Sequence, residues 1–194
     1  MPFAGASQGY KITPRQLAAA ITPKTRLVLL NSPCNPTGAA YTRAELRALG
    51  DVLLQHPRIL IGTDDMYEHI YWGAEPFCSL LTAVPELYGR TVTINGVSKS
   101  YAMTGWRIGY CGGPKEIITA MGTIQGQSTS NASSISQKAA IVALNSDQSC
   151  VAKMNEAFKA RHDYIVAGLN SLPGVSCVPR SAAGFAPVAE YRGV

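Results

Sequence analysis

The sequence predicts an α/β protein with a mostly parallel sheet. Short continuous apolar runs recur along the chain, as in strands buried on both faces. Segments with helical spacing and helix caps lie between them, and that alternation defines α/β sheets. The link from Ile94 to Ile108 leaves little room for a helical crossover, which needs a dozen or more residues. If those two strands are neighbours, one is therefore expected to run antiparallel to the other.

The elements follow in chain order. Thr13, Pro14 and Gln16 read as a capping box with proline at the first helical position, so a short helix should reach Ile21. Arg26-Leu27-Val28-Leu29-Leu30 is the first apolar strand, and a loop rich in Pro and Asn spans 31–38. Thr42 and Glu45 form a second capping box. Leu46, Leu49 and Leu53 mark the inner face of a helix that ends near His56-Pro57. Further strands are expected at 59–62, 91–94 and 108–111. Pro114 should open a helix that turns Ile117, Ile118, Met121 and Ile124 inward. Another helix is expected over 134–144. Asp147 should cap a long one containing Val151, Met154, Phe158, Ile165 and Leu169.

Bulk composition narrows the function classes. With 194 residues the chain can build one sizeable core. Charged residues make up 15%, below the roughly 25% usual for soluble domains, so part of the surface is expected to be covered by further chain or a partner. The net charge of +5 is dispersed without a Lys/Arg block, which argues for solubility rather than nucleic-acid binding. Five scattered cysteines and three histidines show no ligand spacing, so neither a metal site nor a disulfide framework is expected. No signal peptide or membrane-spanning run is visible, and a cytoplasmic location is the expectation.

The candidate chemical residues lie just past the C-terminal ends of consecutive strands. Asn35 follows the first, Asp64 the second and Lys99 the third, where open α/β sheets bind ligands. Lys99 stands in Asn95-Gly96-Val97-Ser98-Lys99-Ser100-Tyr101, and Arg107 follows eight residues later. A lysine amine can form a Schiff base with an aldehyde. A guanidinium can hold a phosphate by paired hydrogen bonds. Pyridoxal 5'-phosphate carries both groups. Taken singly, each residue has an ordinary reading: a solvated loop lysine, a surface arginine, an acidic loop before a helix, an Asn-Pro turn.

The stretch 95–110 closely resembles the lysine segment of class I/II (fold type I) pyridoxal-phosphate aminotransferases, especially the bacterial aspartate/aromatic enzymes. Asp64-Asp65-Met66-Tyr67 resembles their D-x-x-Y, and the loop from Asn31 to Gly38 resembles their N-x-P-x-N-P-T-G. The resemblance spans about 10–178. It implies a three-layer sandwich with a mixed sheet, formed by a partial large cofactor domain over 1–165, and the start of a small α+β domain over 166–194. It assigns Lys99 to the cofactor aldehyde, Asp64 to the pyridine nitrogen, Tyr67 and Asn35 to the phenolic oxygen, and Arg107 with Ser98 to the phosphate. Asp64 is preferred over Asp65 only for its spacing to Tyr67. Some relatives carry a phosphate-binding serine at the position of Gly96, where backbone amides would have to substitute. The resemblance allows a cis bond before Pro36. Trp106 is read as core packing rather than as a ring stacked on the cofactor.

These readings imply an aminotransferase that moves an amino group from aspartate or an aromatic amino acid to a 2-oxo acid. The same site could serve a lyase or synthase, and the fold could also serve a non-catalytic effector-binding module. Complete relatives are about twice as long, so the chain reads as the middle of such an enzyme. A homodimer is expected for the complete protein, without nucleic-acid or membrane partners, and no turnover for this chain alone. The sequence 183–187 departs from the Gly-x-Phe-Tyr strand of relatives, because Pro187 disfavours a central strand.

Overall fold

The computed structural model describes residues 4–177 and 189–191. Four strands form one sheet in sequential order: β1 (Leu27–Asn31), β2 (Leu60–Asp64), β3 (Thr91–Gly96) and β4 (Gly109–Gly112). β1 pairs with β2, and β2 with β3, in parallel. β4 runs antiparallel to β3. The reversed strand is the one that the short link after Ile94 requires.

Three helices accompany the first strands: α1 (Pro14–Ala20), α2 (Arg43–Leu54) and α3 (Leu80–Ala83). Both expected capping boxes form. Thr13 Oγ1 accepts from Gln16 N at 3.2 Å, and Gln16 Oε1 accepts from Thr13 N at 2.8 Å. Thr42 and Glu45 repeat the exchange at 3.2 and 2.7 Å. The core cluster contains Leu46, Leu49 and Leu53 of α2, Ile61 of β2, and Leu80, Val84 and Leu87. Truncating any one of these leucines to alanine should cost about 2–5 kcal/mol. Gly50 permits this packing, because a Cβ there would overlap Val84. Arg90 ties the helix end to the strand start, with Nη1 and Nη2 donating to the carbonyls of Ile59 and Leu53 at 2.6 and 2.7 Å.

The strands were expected to be buried on both faces, and the described residues cover only one. Val28, Leu30 and Ile61 pack into the helix-covered core. Leu27, Leu29 and Leu60 alternate with them and are exposed, Leu29 by 71%. Period-two alternation puts these side chains on the opposite face, and no described helix lies over them.

The second half of the chain is helical. α4 (Val97–Ser100) is one turn, followed by α5 (Lys115–Ser128), α6 (Ser134–Asn145) and α7 (Ser149–Asn170). Ala140 of α6 packs with Val97 and Ile108 in a second small core. α5 corrects the sequence expectation: Met121 and Ile124 do not point inward, and Ile124 is 71% exposed. The apolar stripe exists, but no described residue covers it. Asp147 does not cap α7. Gln148 stands at that position without a side-chain cap, and the Ser149 hydroxyl instead donates to Asp147 Oδ2.

β5 (Val175–Cys177) and β6 (Ala189–Tyr191) form a separate antiparallel pair. The expected domain division at 165/166 falls inside the continuous α7. The departure noted at 183–187 lies outside the described residues.

Candidate functional site

The loop after β1 contains two cis peptide bonds, Ser32-Pro33 and Asn35-Pro36. Only the second was anticipated. Asn31 organises this loop. Its Nδ2 donates to the Asp64 and Pro33 carbonyls at 3.1 and 3.3 Å, and its Oδ1 accepts from Asn35 N at 3.2 Å. The Asn35 side chain is thereby aimed across to the next strand end, where Nδ2 donates to the Tyr67 hydroxyl at 3.0 Å.

Tyr67 is 5% exposed and sits in the turn after β2. The Lys99 ammonium lies 5.8 Å from the Tyr67 ring centroid, within cation–π range. Asn35, Tyr67 and Lys99 thus converge from three separate strand ends.

Asp64 closes β2, in register with Asn31 on one side and Ile94 on the other. Its Oδ1 accepts from Met66 N at 3.1 Å. Asp65 is only 4% exposed. Burial, then the charges of Glu68 and Asp64, push its carboxyl up to about 7, with a Thr63 hydrogen bond opposing them. The two neighbouring aspartates therefore occupy different electrostatic settings, which their adjacency in sequence did not reveal.

Ser98 and Lys99 are half-buried on the single turn of α4. Thr104 Oγ1 donates to the Ser98 carbonyl at 3.2 Å, and Arg107 Nη1 donates to the Thr104 carbonyl at 2.9 Å. Arg107 is exposed, and its backbone is left-handed with φ 56°. A non-glycine residue held there stores about 1–3 kcal/mol of strain.

Gly96 precedes α4 in extended backbone. A Cβ at this position would meet the Ile108 carbonyl at 2.9 Å and Gly109 Cα at 3.2 Å. The β3–β4 pairing closes the space that a serine would need.

Trp106 corrects the sequence reading. It lies in the turn Thr104–Trp106 and is 44% exposed, so it is not core packing. The turn carries it out of the small core around Val97 and Ile108. Sequence reasoning also passed over Asn31, Glu68 and Asn95, polar residues at the same strand ends. Their positions next to residues that were singled out were the available signal.

The large apolar groove of the described residues, about 930 Å³, does not lie at this cluster. It runs along β1, lined by Leu17, Leu27, Leu29 and Tyr41 among others. Among the described residues no three His, Cys, Asp or Glu side chains are placed to hold a metal, and no helix is long and apolar enough to cross a membrane.

A mixed α/β sheet with a lysine, a tyrosine and an asparagine meeting past its strand ends belongs to the class of open α/β folds that bind ligands there. Comparison narrows that class to a family. The family model for aminotransferase class I and II matches residues 2–194. The aspartate/prephenate aminotransferase of Nitrosomonas europaea is 56% identical over 182 residues, 94% of this chain and 46% of that protein. The aspartate aminotransferase of Rhizobium meliloti is 53% identical over 178 residues, 91% of this chain and 43% of that one. A crystal structure of the Rhizobium meliloti aspartate aminotransferase superimposes with a TM-score of 0.93, covering 98% of this chain and 48% of its own, at 50% identity. The Thermus thermophilus aspartate aminotransferase with maleate gives 0.85 at 37% identity, covering 93% of this chain and 46% of its own. The chain belongs to the class I and II aminotransferase family, and it spans about half the length of the curated relatives it matches.

Proposed function

We propose that this chain supplies the central part of a pyridoxal-phosphate-dependent aminotransferase acting on aspartate or an aromatic amino acid and a 2-oxo acid. The convergence of Asn35, Tyr67 and Lys99 carries this reading. The donor set suits the cofactor: an amine for the aldehyde, two neutral groups for a phenolic oxygen, a carboxylate for a ring nitrogen and a guanidinium for a phosphate.

In this role Lys99 Nζ would hold the cofactor aldehyde, and its amine would move the proton at the substrate α-carbon. Asp64 keeps the ring nitrogen protonated, because a neighbouring carboxylate favours a positive charge. Asn35 and Tyr67 fix the phenolic oxygen. Arg107, with the Ser98 hydroxyl, anchors the phosphate. The bound cofactor supplies the electron sink.

The complete protein acts as a cytoplasmic homodimer, with its large domain over 1–165 and its small domain beginning at 166. The names of its relatives support aspartate as donor. Borohydride reduction of the full-length protein with pyridoxal phosphate, followed by peptide mapping, tests the reading. The label should sit on Lys99. Label on another lysine, or none, would overturn it.

A further inference from the structure

Glu68 and Asn95 stand beside the cluster without belonging to it. Asn95 is the penultimate residue of β3 and is buried. Its Oδ1 accepts from Gly96 N at 2.7 Å. Its Nδ2 donates to Glu68 Oε1 at 2.6 Å, across 27 residues of sequence. The chemistry fixes the orientation of the amide: its oxygen must face the N–H and its nitrogen the carboxylate.

Each end of this tie leads directly to a site residue. Glu68 follows Tyr67, and its amide donates to the Asp65 carbonyl at 2.9 Å. Gly96 opens α4, which carries Lys99 at its third position. The contact is partly buried and charge-assisted, so it should be short and strong.

We propose that the Glu68–Asn95 pair is a positioning device that sets the placement of Lys99 against Tyr67. One amide clamps the start of the lysine turn to the turn that bears the tyrosine. Asn95 cannot be replaced by a carboxylate while Glu68 stays ionised, because two acceptors would then face each other. Moving the charge restores the bond: in N95D/E68Q the new carboxylate accepts from both Gly96 N–H and the glutamine amide. Glu68→Gln alone keeps a neutral hydrogen bond.

The proposal rests on the assignment of Lys99 as the cofactor lysine, so the test carries two readouts on the full-length protein. The first is the rate of pyridoxyl labelling at Lys99 under borohydride. The second is the rate of Lys99 acetylation by acetic anhydride without cofactor, followed by peptide mapping. Both are made well below the melting temperature, where circular dichroism shows all variants folded. N95D should change both rates by about tenfold or more, since small misplacements are costly at such sites. E68Q and N95D/E68Q should stay within about threefold of wild type. An unlabelled Lys99 in the wild type would defeat the proposed function, while the acetylation rates would still decide the positioning. Folded N95D with wild-type acetylation, or N95D/E68Q no closer to wild type than N95D, would overturn the proposal.

Discussion

The Asn35 amide donates to the Tyr67 hydroxyl at 3.0 Å, joining the loop after β1 to the turn after β2. The bond holds together the two groups proposed to share one oxygen. Loss of either partner leaves a polar group of the other poorly satisfied, which costs about 1 kcal/mol. Tyr67→Phe and Asn35→Ala should therefore be non-additive in urea unfolding, with a coupling of about 0.5–1.5 kcal/mol. Strict additivity would mean that the bond contributes nothing to the folded state.

Asp65 gives a pH-dependent prediction. An ordinary aspartate, as in the unfolded chain, loses its proton near 3.8, whereas folded Asp65 keeps it up to about 7. Between those values the native state binds more protons, so this group makes stability fall as pH rises through the window. Asp65→Asn removes that titration. The variant should match wild type near pH 3.5 and exceed it at pH 8 by on the order of a few kcal/mol. Equal stability of the two proteins across the range would refute the burial argument. Turnover of the full-length enzyme should fall severely in Asp64→Ala and only mildly in Asp65→Asn.

The elements legible from sequence are those with local causes. Thr13 with Gln16, and Thr42 with Glu45, announced α1 and α2 because a capping box is written in adjacent residues. The reversed β4 followed from the short link after Ile94 once the two strands pair. Lys99 and Asn35 were legible as strand-end residues and Tyr67 through the D-x-x-Y resemblance, and the structure brings the three together. Burial was less legible. Leu29 and Ile124 have core composition, but whether a face is covered depends on distant chain, which apolar spacing cannot report. Trp106 failed for a related reason, since its exposure is set by a turn and not by its residue type. The Glu68–Asn95 bond was invisible because it joins two ordinary polar residues far apart in sequence.

Arg107 combines backbone strain with the phosphate-binding role proposed for it. Its φ of 56° suits glycine better than arginine. Arg107→Gly relieves the strain, partly offset by the greater freedom of glycine in the unfolded chain. Stability without cofactor should rise by up to about 2 kcal/mol. Affinity for pyridoxal phosphate should fall sharply, because the proposed phosphate partner is gone. Arg107→Lys should also bind more weakly, since an ammonium lacks the planar fork. Thermal melting and equilibrium dialysis separate the two effects. Marked destabilisation with unchanged cofactor affinity would show that Arg107 serves the fold instead.

The exposed apolar residues predict how the isolated 194-residue chain behaves. Leu27, Leu29 and Leu60 share one sheet face, while Ile124, Ile135, Ile141 and Val142 lie exposed on α5 and α6. Among the described residues β1 is also an edge strand, with the apolar groove alongside it. Unpaired strand edges and contiguous apolar patches favour association. The chain alone should therefore self-associate, and coupled assay with aspartate and 2-oxoglutarate should detect no turnover. Leu29→Lys places a charge in the middle of the bare face without touching the Asn35–Tyr67–Lys99 cluster, and it should reduce light scattering at equal concentration. A monodisperse, active monomer of the unmodified chain would show that these faces need no cover.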